Sequence, residues 1–68
     1  MDFTTRLAIQ AVMRGLFRNR VISEEQVRSV MLELQYAARH QEDHGNKTDA
    51  DDLTDLAAGI GKDAKVID

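Results

Sequence analysis

The sequence predicts an all-α protein, an antiparallel helical hairpin followed by a short third helix, with two chains pairing into a dimeric helical bundle. Three observations carry this reading. Two long segments repeat apolar residues at helical spacing. A capping-box sequence marks the start of the second segment. No proline interrupts the 68 residues.

The first helix is expected from Phe3 to about Asn19, with Asp2 or Thr4 as its cap. Ile9, Val12, Met13, Leu16 and Phe17 follow the i, i+3, i+4, i+7, i+8 pattern of one apolar face. Arg6, Gln10, Arg14 and Arg18 form a polar stripe, but Phe3, Leu7 and Ala11 share that side of the helix. The helix is therefore apolar over more of its circumference than one neighbour covers. Gly15 interrupts this pattern and costs about 1 kcal/mol relative to alanine. The plainer reading is a tolerated glycine near a helix end; the sharper one is close approach by another helix.

Asn19 to Ile22 is a short connection. Ser23-Glu24-Glu25-Gln26 then matches a capping box, in which Ser23 and Gln26 satisfy each other's backbone N–H groups. Ile22 and Val27 are placed for a hydrophobic staple across it. The second helix is expected from Glu24 to about Gln41 or Glu42, with Val27, Val30, Met31, Leu34, Ala37, Ala38 and Gln41 as its seam. Leu32 and Tyr36 lie one turn apart behind that seam. Gly45 suits the left-handed residue that ends a helix. A connection this short makes neighbouring helices antiparallel, so the first two segments are expected to form the hairpin.

The rest is weaker. Ala50, Leu53, Leu56, Ala57 and Ile60 suit one face of a third helix of about three turns, stopped by Gly59 and Gly61. Lys62 to Asp68 shows no period, the pattern of a flexible chain end. Residues 1–45 are thus expected to be the hairpin core and residues 46–68 an acidic segment with a short helix and tail. Charge divides the chain at nearly the same place. Six arginines face four acids before residue 41, whereas three lysines face eight acids after it.

Size and composition narrow the function. A chain this short buries only about 60% of its unfolded surface and needs regular packing or partners. It has no cysteine, which excludes disulfides and thiolate metal sites and fits a cytoplasmic location. Apolar runs are too short for a membrane span, and Asp2 to Arg6 leaves no apolar stretch for a signal peptide.

No motif carries recognisable chemistry. His40 and His44 are spaced to share a metal, but no third ligand is evident, and solvated residues at a helix terminus are the plainer reading. Asp49-Ala50-Asp51 opens like a calcium loop, yet Thr54 and Ile60 stand where glycine and glutamate belong. Asn46-Lys47-Thr48 matches a glycosylation sequon by chance. No nucleophile–base pair or phosphate loop is present, so no enzyme activity, cofactor or metal is expected. The leading expectation is a small non-enzymatic, homodimeric protein–protein interaction or regulatory protein. Phe3, Leu7 and Ala11, with Leu32 and Tyr36, are its candidate contacts with another copy or a heterologous protein partner. The alternative is a helix-turn-helix nucleic-acid-binding regulator using Arg14, Arg18 and Arg20. Glu24, Glu25 and the net charge of −3 weigh against it.

Overall fold

The structure, a computed structural model, describes residues 1–67. It is all-α, with three helices and no strand among the described residues: α1 (Phe3–Arg18), α2 (Glu24–Asp43) and α3 (Lys47–Asp63). Asp2 caps α1, its Oδ1 accepting from the Thr5 N–H at 2.6 Å. The capping box at α2 is complete. Ser23 Oγ accepts from Gln26 N–H at 3.2 Å, and Gln26 Oε1 accepts from Ser23 N–H at 2.8 Å. Such caps contribute about 1 kcal/mol.

All three helices end the same way. After α2, the Gly45 N–H donates to the Glu42 carbonyl and the Asn46 N–H to the Gln41 carbonyl, the paired bonds of a Schellman motif. Gly45 supplies the required positive φ of 80°. The same bond pairs follow α1 and α3, but there the left-handed residues are Arg20 and Lys65, each at φ 59°. A side chain in this conformation costs on the order of 1 kcal/mol.

The tightly packed hairpin joins α2 to α3 rather than α1 to α2. Val27 and Met31 of α2 meet Leu56, Ala57 and Ile60 of α3, and Ala64 closes the cluster. Val27 and Leu56 are each 1% exposed. Met13 and Phe17 of α1 and Val30 and Leu34 of α2 are partly buried against this core. The core thus lies on both sides of residue 45. Val66, beyond α3, also packs against it. Asp68 of the expected flexible end lies outside the described residues.

Two glycines fix the layout. The expectation that Gly59 and Gly61 stop α3 is overturned: the helix continues through both to Asp63. Glycine is tolerated here because both positions are approached closely. A Cβ on Gly61 would lie 2.7 Å from Met31 Cε of α2, and one on Gly59 would strike the Gln10 side chain of α1. Positions two apart on a helix point about 200° apart. Gly59 thus faces α1 and Gly61 faces α2, and α3 contacts both helices.

Along α1 the match to α3 keeps one register. Arg6 reaches Asp55, Gln10 lies over Gly59 and Arg14 reaches Asp63. Numbers rise together, so α1 runs parallel to α3. Because α3 folds back on α2 across the turn at Gly45, α1 is antiparallel to α2, as expected, and what differs from the expectation is the side of α1 that faces inward. The stripe of Arg6, Gln10 and Arg14 turns toward α3, and no residue of α1 is fully buried. Met13, Leu16 and Phe17 remain half-buried, whereas Ile9 and Val12 are left exposed. This rotation sets Arg6 and Arg14 beside Asp55 and Asp63, at 3.9 and 3.1 Å, and leaves part of the apolar face outward.

Candidate functional site

The outer side of α1 is the chain's most unusual surface. Thr4, Thr5, Ala8, Ala11, Val12 and Gly15 are all exposed, and none carries a charge. Large apolar groups border them: Phe3 is 65% exposed, Val12 61% and Leu7 45%. An open apolar hollow lies between Ala8, Ile9, Val12 and Met13. Nothing lies within 4 Å of a Cβ built on Gly15, so no helix of the same chain approaches there. A helix face normally turned to water carries charged and polar residues, and this one has only Thr4 and Thr5 as polar groups and no charge.

The five residues expected to touch a partner fall on two surfaces. Phe3, Leu7 and Ala11 lie on α1. Leu32 and Tyr36 are exposed on α2. Leu32 borders a second open hollow with Met31, Gln35 and Ile67, lined by no residue of α1. Val12 belongs with the α1 group, although its helical spacing had assigned it to the interior. Its exposure accompanies the rotation of α1 that sets Arg6, Gln10 and Arg14 toward α3, which a single-helix pattern does not contain.

Charge is distributed along the molecule. At the start of α1, the amino group of Met1 donates to Asp52 at 2.9 Å. That hydrogen bond and the Asp52 charge raise its pKa above the ordinary value, with smaller contributions from Asp49 and Asp2. Asp2 itself is held below the usual carboxylate range by its hydrogen bond from Thr5. This end is acidic. At the other end of α1, Arg14 pairs with Asp63 at 3.1 Å, while Arg18 and Arg20 make no ion pair among the described residues. Arg18 and Arg20 border an open hollow at the α1–α2 turn with Phe17, Val21 and Ile22.

The histidine pair is occupied locally. His40 and His44 rings lie 4.3 Å apart, and His44 Nδ1 donates to the His40 carbonyl at 2.8 Å. No group of three or more metal-binding side chains gathers among the described residues. No described helix is long and apolar enough to cross a membrane.

Fold and surface together define a small three-helix protein with one unpartnered helix face. The chain matches no protein-family model, no curated protein and no solved structure.

Proposed function

We propose that this chain is a non-enzymatic, cytoplasmic helical interaction protein that works as a homodimer, with a regulatory role toward a heterologous protein partner. The observation that carries the reading is the exposed, uncharged outer face of α1. Covering it removes apolar surface from water, worth roughly 25 cal/mol per Å² before the costs of association. Leu32 and Tyr36 on α2 offer a second surface on which a different protein can dock. Equilibrium sedimentation across micromolar concentrations tests the dimer. A monomer at every concentration refutes the reading.

One observation favours nucleic-acid binding as a second reading: Arg18 and Arg20, which make no ion pair among the described residues, border the hollow at the α1–α2 turn. Arg14 is held by Asp63, which leaves fewer free cations than the sequence offers. Retention on duplex DNA or RNA that falls steeply with salt and weakens in Arg18→Ala supports it. No retention at low salt removes it.

A further inference from the structure

We propose that α1 pairs with α1 of a second copy in antiparallel orientation, Ala8 of each chain facing Ala11 of the partner subunit. This deepens the homodimer reading, on which it rests, by naming the surface and its direction.

The seam is set by spacing. Thr4, Ala8, Ala11 and Gly15 are separated by four, three and four residues, the a/d interval of a two-helix seam. Their short side chains let two helix axes approach to about 8 Å. The order is also self-complementary. A two-fold axis between Ala8 and Ala11 brings Thr4 opposite Gly15 of the partner subunit and Leu7 opposite Val12 of the partner subunit. The bordering large side chains then close over the small ones, as an isologous interface requires.

Charge selects the direction. Asp2, Asp49 and Asp52 gather at the start of α1, where the Met1 amino group senses all three. Arg18 and Arg20 stand at its other end without ion pairs among the described residues. Antiparallel pairing brings each arginine end beside the partner's acidic end, and parallel pairing brings like charges together. The helix dipoles favour the same direction.

Apolar exposure supports a second copy as occupant. Leu7 and Val12 flank the seam at 45% and 61% exposure, so a second copy seated there removes both from water on each chain. A symmetric pair doubles the covered surface without another protein.

The test uses the whole chain. Sedimentation of the wild type should show a dimer. Ala8→Glu should raise its dissociation constant at least tenfold while helical content stays unchanged, because Ala8 faces solvent in the single chain. Leu32→Glu, on α2, should leave association unchanged. Because the protein has no cysteine, single-cysteine variants map the pairing cleanly. An oxidised mixture of Thr4→Cys and Gly15→Cys should give mainly the mixed disulfide, since two Thr4 positions lie about 16 Å apart along an antiparallel pair. A dimer indifferent to Ala8→Glu, or one that cross-links Thr4→Cys chiefly to itself, overturns the antiparallel α1 pair and leaves self-association standing. A wild-type monomer overturns both.

Discussion

Replacing Leu56 with alanine truncates one of the two largest fully buried side chains of the core. Leu56 is 1% exposed and lies in the cluster formed with Val27, Met31, Ala57 and Ile60. Such truncations lose the transfer energy of the deleted atoms plus the cost of the residual cavity, about 2.7–5 kcal/mol for Leu→Ala. Met13 and Phe17 are only half-buried and can relax into the space, which favours the lower part of this range, about 3 kcal/mol. At about 0.05–0.15 kcal/mol per residue, a chain of this length holds roughly 3–10 kcal/mol. The substitution therefore removes a third or more of the folding energy. The midpoint of thermal unfolding should fall by about 12–24 °C. Urea unfolding followed by helical circular dichroism, at one fixed protein concentration because dimerisation shifts the midpoint, measures the loss directly. A loss below about 1 kcal/mol would show that α3 does not form the centre of the core.

Arg20→Gly should stabilise the protein by about 1 kcal/mol, because glycine adopts the positive φ after α1 without a Cβ clash; an unchanged or lower unfolding midpoint contradicts the strain. The amino-terminal pair gives a pH dependence. Its folded pKa is raised above 8.0 by Asp52, so its stabilisation is complete below that value and is lost as pH rises through the folded pKa. Between pH 7 and pH 10 the free chain should lose more stability than one acetylated at Met1, and equal losses in urea unfolding would refute the contribution of the pair.

The local elements were readable before any coordinates. Ser23 and Gln26 identify the start of α2 because a capping box joins residues three apart, and Gly45 identifies its end for a similarly local reason. The apolar rows of α2 and α3 reached the interior largely as their spacing implies. α1 did not, since its burial depends on Asp55, Gly59 and Asp63, which lie 49 residues away in sequence. The end of α3 is hidden in the sequence for a related reason. Glycine reads locally as a helix stop, whereas Gly59 and Gly61 serve helix contacts that only the packed chain reveals. The candidate surface was partly legible: the over-wide apolar coverage of α1 singled out Phe3, Leu7 and Ala11, but not Val12.

The sequence by itself determined that the chain is helical, where its helices begin, and that α1 carries more apolar surface than one neighbour covers. Those properties arise from interactions within a few residues, which spacing and capping record. Tertiary structure decided which helices pair, which side of α1 turns inward, and that α3 contacts both of the others. These depend on matching charges and close approaches between distant segments, so the same α1 sequence is compatible with more than one rotation until α3 selects one.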